Sequence, residues 1–339
     1  MKNFFIGLII ILLVGFGIYF MVRDSKDVPD VTTPTPSSAG DTTGSMATTT
    51  GSTNTGTSTT TSATTAPKAD SFGMTTTVIG QSLNGQKINA YSFGSGSTAS
   101  NTNSDTKEIL FVGGIHGGYS WNTALVAYQL VDYLRDNSSA IPNGVKVTVI
   151  PVANPDGLTK VIGDMPPAYP GTDAADHFGA ADVSGASQAT QIAGRFNANK
   201  VDLNRNFDCD WQANGKWQNT TVSGGTAAFS EPESRAIKAY IESHDITAAI
   251  VWYSAAGGVY SSSCHNGVLA ETRALTNTYA GASGYSAHED FDFYAITGDM
   301  TNWLAKESIP AISVLLTDHQ NTEWSKNLAG IKAVLAKYK

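Results

Sequence analysis

The chain has 339 residues and a formal net charge of −8. That charge gives no basic footprint for a nucleic acid, so no nucleic-acid partner is expected. The length is more than one core needs, and composition divides it into an apolar tip, a polar stretch and a mixed remainder.

The tip holds an uncharged apolar run from Phe4 to Val22, FFIGLIIILLVGFGIYFMV. A run of about 20 such residues can cross a bilayer as a helix. Tyr19, Phe20 and Met21 lead straight into Arg23, without the small-residue site at which a signal peptide is cleaved. Residues 1–26 are therefore expected to be a cytoplasmic tip and an uncleaved transmembrane anchor. Lys2 on one side and Arg23 and Lys26 on the other leave its orientation open. Residues 27–69 are built from Thr, Ser, Gly, Ala and Pro. They have too little to bury to offset the entropy of ordering and are expected to form a disordered stalk. A stalk of this kind sets the orientation: a single-pass cell-membrane protein with its globular part outside the cytoplasm.

The remainder, residues 70–339, alternates strand-like and helical patterns. Glu108–Val112 (EILFV) is an apolar strand bounded by Gly113 and Gly114. Thr123–Leu134 has helical spacing, with Leu125, Val126, Leu130, Val131 and Leu134 on one side. Val145–Val152, Ala248–Trp252 and Ile312–Leu316 read as further strands. Glu231–His244 reads as a helix capped by Ser230 with Glu233 in the capping-box position, and Glu323–Tyr338 as a closing helix. Alternation of this kind predicts an α/β fold with a mixed, largely parallel central sheet and helices on both faces. Ligands are then expected beyond the carboxyl ends of the strands. Cys209 and Cys264 are the two cysteines; in an outward-facing domain they are expected to form a disulfide.

The loops at those strand ends carry recognisable segments, in order: VGGIHGGYSWNT, ANPDG, GRFNAN, VDLNRNF, WYSAAGG and VLLTDHQNTEW. Over residues 111–324 this series resembles the zinc carboxypeptidase family. The resemblance implies that family's α/β fold, with zinc as cofactor if the protein is active. It also implies peptides or proteins with a free C-terminus as partners, cell-wall peptides among them. His116 matches the family's first zinc ligand. The Glu that should follow it falls on Tyr119 or, in the HGGYE form of the motif, on Ser120. The third ligand, a His, is replaced by Tyr253, and the Glu that deprotonates zinc-bound water by Leu315. A catalytic zinc needs three protein ligands and an open position, and leucine cannot accept a proton.

The substrate-holding positions match better. Asn204 and Arg205 align with the family's pair for the terminal carboxylate, which a guanidinium binds through two parallel hydrogen bonds. Their other available role is to brace a turn. Arg195 aligns with the oxyanion-stabilising arginine, and Tyr294, four residues before Gly298, with the mobile pocket tyrosine. ANPDG reads as a structural turn. The expectation is a membrane-anchored, carboxypeptidase-like domain that binds C-terminal carboxylates and is catalytically impaired. Two alternatives stand beside it. One is an active metallocarboxypeptidase whose metal site is rebuilt from His116, Tyr253, Asp318 and His319. The other is a surface interaction module that keeps only the scaffold.

Overall fold

Apolar runs rich in β-branched residues make the centre of an eight-stranded sheet, as buried parallel strands require. The computed structural model describes residues 69–70, 72–94, 106–164 and 178–339. The expected anchor and all but the last residue of the stalk lie outside the described residues. Among the described residues no helix is long and apolar enough to cross a membrane.

The strands are β1 (Thr75–Gln81), β2 (Lys87–Gly94), β3 (Lys107–Val112), β4 (Val145–Ile150), β5 (Asn214–Trp217), β6 (Thr220–Ser223), β7 (Ile246–Ser254), β8 (Gly258–Ser261), β9 (Ser286–His288) and β10 (Ala311–Leu316). The helices are α1 (Trp121–Asp136), α2 (Pro155–Ile162), α3 (Ala180–Val183), α4 (Gln188–Ala193), α5 (Pro232–Glu242), α6 (Ala270–Ser283), α7 (Met300–Lys306) and α8 (Trp324–Lys337). The large sheet runs β1-β2-β4-β3-β7-β10-β8-β9, and β5 and β6 pair separately. The central strands β4, β3, β7 and β10 are parallel. β1, β2 and β8 join antiparallel neighbours.

Alternation along the strands feeds two cores. Ile109 and Phe111 of β3 pack with α1, α6 and α8 on one face. Leu110 and Val112 pack with α5 and α7 on the other. Each fully buried Leu, Ile, Val or Phe contributes about 1.5–3 kcal/mol. Phe111 and Trp252, stacked with centroids 5.5 Å apart, tie β3 to β7. The expected α/β architecture with helices on both faces is therefore present, and so is the Cys209–Cys264 disulfide.

Local expectations needed three corrections. Ser230 does not cap α5: Pro232 occupies the first turn and Glu231 takes the cap position without a side-chain bond. The Ser230 hydroxyl instead donates to Glu231 Oε1, and Glu233 accepts from the Leu83 amide and Asn197 Nδ2. ANPDG is more than a turn, since Asn154 caps α2 by accepting from the Gly157 N–H, with Pro155 in the first turn. Leu125 is only half-buried, because helix α1 turns it past the edge of the apolar stripe.

Candidate functional site

The loops after β3, β7 and β10 meet at one end of the sheet and open onto a cavity of about 620 Å³. His116 follows β3 in the loop Gly113–Ser120. That loop can lie this close to α2 only because it carries glycine. A Cβ at Gly117, whose φ is +45°, would sit 2.5 Å from the Gly194 carbonyl oxygen, and one at Gly118 would sit 2.3 Å from a Val161 methyl.

His116 is buried, and neither ring nitrogen has a hydrogen-bond partner. Its Nε2 lies 3.6 Å from Asp202 Oδ1. Burial, then the nearby Arg195 guanidinium, hold His116 well below its usual pKa, so the ring is neutral at pH 7. Asp202 is fully buried and was not singled out from the sequence. Arg195 Nε donates to Asp202 Oδ2 at 2.9 Å, and Nη2 lies 2.8 Å from the same oxygen without hydrogen-bond alignment. Burial alone would raise Asp202, but Arg195, His116 and Arg205 outweigh it and hold the carboxyl at about 2. Above Arg195 lie two rings, Trp217 at 4.5 Å and Tyr119 at 5.7 Å from the guanidinium carbon. Trp217, at the end of β5, was invisible as a site residue because its hairpin reads as polar loop.

The remaining positions sort by which side of the cavity wall they occupy. Of the two residues at the lost carboxylate position, Tyr119 lines the cavity and Ser120 is buried outside it. Tyr253 and Leu315 are register partners on β7 and β10, and both line the cavity. The Tyr253 hydroxyl donates to Asn204 Oδ1 at 3.0 Å, and burial, then Asp299, hold it well above the ordinary tyrosine pKa. Met300 N–H donates to the same oxygen at 3.2 Å. Asn204 and Tyr294 also line the cavity. Arg205 does not: its Nε and Nη2 donate to the Lys216 carbonyl at 2.9 and 2.8 Å, and Nη1 donates to the Asn204 carbonyl. It braces the β5–β6 hairpin while its guanidinium carbon lies 5.9 Å from the Tyr294 ring. Asp299, also unread in the sequence, is a buried carboxylate in the cavity wall. Its Oδ2 accepts from Thr301 Oγ1, while Oδ1 has no partner. Burial raises its pKa.

The family model for zinc carboxypeptidase matches residues 66–326. The chain belongs to the zinc carboxypeptidase family. Among solved structures, a carboxypeptidase A from Helicoverpa armigera resembles it with a TM-score of 0.60 and 17% identity, over 78% of this chain and 68% of that one. Bovine thrombin-activatable fibrinolysis inhibitor, solved with tick carboxypeptidase inhibitor, gives a TM-score of 0.59 and 14% identity, over 78% and 90%. Identities this low speak for the fold alone. No match was found among curated proteins.

Zinc carboxypeptidases depend on zinc in general, so the ligand set here decides whether the metal fits. The orphaned ring nitrogens of His116 suit it. Tyr253 stays a protonated donor, Tyr119 is raised by burial, and Leu315 offers no donor atom. The expected replacement set does not assemble either. His319 lines the cavity beside Tyr119, 4.5 Å between ring centroids. The Asp318 carboxylate, however, is taken by Gln320 N–H, Asn321 N–H and Asn321 Nδ2 in an exposed turn. His116, His319 and Asp299 each bring a free donor atom to the wall. Among the described residues, however, no three His, Cys, Asp or Glu donors converge there within metal-binding distance, so the cavity residues do not fit a catalytic zinc.

Proposed function

We propose that this zinc carboxypeptidase family member binds peptides through their free C-terminal carboxylate without cutting them. The observation that carries the reading is the register pair Tyr253–Leu315. These residues stand at the third-ligand and general-base positions, and they present a protonated phenol and a hydrocarbon. The phenol's proton is already given to Asn204 Oδ1, and neither group takes a proton from water. Arg195, Asn204 and Tyr294 still face the cavity with hydrogen-bond donors. In this reading Arg195 and Asn204 Nδ2 take the carboxylate, and Tyr294, which lines the same cavity, covers it. Arg205 adds positive potential from behind the wall and keeps Asn204 in place.

The apolar N-terminal run supports a membrane-anchored form, with the domain held outside the cytoplasm and cell-wall peptides within reach. Protease treatment of intact cells checks that part; a fully protected domain contradicts it.

The binding claim is tested by calorimetric titration with a short peptide and with the same peptide amidated at its C-terminus. Binding of the acid that is lost on amidation is the expected result, with the peptide recovered intact. Equal binding of both forms leaves the scaffold-only interaction module as the better reading.

A further inference from the structure

Outside the cavity, two dipeptides face each other. Cys209 is followed by Asp210, and Cys264 by His265. The cysteines are buried, 5% exposed each, and backed by Ala305 of α7. Asp210 and His265 are open to solvent, and both adopt left-handed backbone, with φ of 53° and 54°. Non-glycine residues visit this region seldom, though Asp and His do so more than most. Both turns send a side chain back towards the sulfurs: His265 Nε2 lies 3.1 Å from Asp210 Oδ1, and Cys209 Sγ lies 3.9 Å from Asp210 Oδ2. The two sulfurs and the His265 nitrogen lie within 4.8 Å of one another.

We propose that this quartet is a metal site which the reduced chain fills with a thiophilic divalent cation, zinc, in place of the disulfide. Two thiolates, an imidazole and a carboxylate form a donor set that zinc takes tetrahedrally, with Zn–S of about 2.3 Å and Zn–N and Zn–O of about 2.0 Å. Those bond lengths need donor atoms about 3.3–3.8 Å apart. The His265–Asp210 edge at 3.1 Å and the Cys209–Asp210 edge at 3.9 Å lie close to that range, and the sulfurs must part while the Asp210 carboxylate swings towards Cys264. Exposure of Asp210 and His265 leaves the site open on one side to reductant and metal.

The chemistry balances as follows. A phosphine attacks the disulfide and becomes the phosphine oxide. Its oxygen comes from water, whose two protons end on the sulfurs. Zinc then displaces both thiol protons to solvent and binds the thiolates. Two thiolates and one carboxylate against a dication leave one negative charge, and Lys306, bonded to Asp208 at 2.7 Å, lies where it senses Asp210.

The site staples two loops that shape the cavity. The Cys209 carbonyl accepts from Gly298 N–H at 2.7 Å, directly before Asp299. Ser263 N–H, beside Cys264, donates to Asn302 Oδ1 at 3.0 Å. Either cross-link therefore keeps the Tyr294–Asp299 segment registered on the Arg205–Cys209 segment. The chain has a staple whether its surroundings are oxidising or reducing.

The test uses the full-length protein and cobalt(II) as the probe, with a phosphine as a non-chelating reductant. Reduced protein is expected to take one cobalt per chain with thiolate-to-metal charge-transfer absorption, and oxidised protein none with that signature. The double variant Cys209→Ser/Cys264→Ser is expected to lose the absorption. His265→Gln, at an exposed position, is expected to weaken binding at least tenfold with circular dichroism unchanged. Cobalt held by His116 would lack the charge-transfer band, survive in the double variant and vanish in His116→Ala. A reduced chain that takes no cobalt with thiolate signature, folded or unfolded, overturns the proposal. So does a His265→Gln variant that binds as tightly as the parent.

Discussion

The Tyr253 hydroxyl donates to the side-chain oxygen of Asn204 at 3.0 Å, joining the residue at a lost zinc-ligand position to the residue best placed to meet a carboxylate. Met300 N–H donates to the same oxygen, so the amide can turn only one way and Nδ2 is the atom with which Asn204 meets a ligand. A phenol at position 253 is thus a positioning group for the binding site. Tyr253→Phe removes that donor and leaves the Met300 bond. Peptide binding is expected to fall about 5- to 30-fold, the worth of about 1–2 kcal/mol, with the melting temperature lowered only slightly. Unchanged affinity in a titration removes Tyr253 from the binding machinery.

The family resemblance gives Arg205 the terminal carboxylate and Arg195 the oxyanion; of the two, only Arg195 lines the cavity. Arg195→Met takes away the guanidinium in the cavity, and acid-over-amide selectivity is expected to disappear. Arg205→Met removes the two bonds that hold the β5–β6 hairpin by its Lys216 carbonyl and is expected to cost about 2–3 kcal/mol of stability by chemical denaturation. Its effect on selectivity should be the smaller one. Reversed roles in the two assays would contradict the assignment.

Asp299 opposes an anionic ligand from the cavity wall. Asp299→Asn keeps the shape and removes a charge that repels the anion. Binding of the free acid is expected to tighten severalfold and that of the amide to stay the same. A weaker acid complex would mean that Asp299 holds a cationic part of the ligand.

The Arg195–Asp202 pair sets an acid limit. The Asp202 carboxyl is held at about 2, below its ordinary value of 3.8. A depressed carboxyl contributes stability that is complete above the unfolded pKa and is lost as pH falls through the folded one. Denaturant midpoints should therefore be flat with respect to this group above about pH 5 and fall between about pH 4 and pH 2, by about 2 kcal/mol in all. Asp202→Asn should remove that slope while costing about 3–5 kcal/mol at neutral pH, because Arg195 is left buried without its counter-charge.

The central strands were legible because β3, β4, β7 and β10 are buried on both faces and read as continuous apolar runs. β1 and the short β5, β6, β8 and β9 were not, because their patterns mix polar, glycine and half-buried positions. Family spacing located Arg195, Asn204, Tyr253, Tyr294 and Leu315 on one cavity. It could not say that Arg205 points into a hairpin, since a guanidinium serves a backbone carbonyl as readily as a carboxylate. Asp202 carried a readable signal, an acidic residue two before Asn204 in VDLNRNF. Trp217 and Asp299 carried none, because each reaches the cavity through tertiary packing of a loop-like segment.

The family pattern also says what rebuilding the metal site would take. Tyr119→Glu with Tyr253→His adds two donors to His116 on the cavity wall, and the double variant is expected to bind about one zinc per chain. Failure to bind would place the missing donor elsewhere, with Ser120 the next position to convert.

The most direct test is the zinc content of the oxidised full-length protein after equilibration with zinc and desalting. With the disulfide intact the Cys209–Cys264 site is closed, so any tightly held metal reports on the cavity. No retained zinc is the predicted result. One zinc per chain that disappears in His116→Ala would contradict a binding protein without a metal centre.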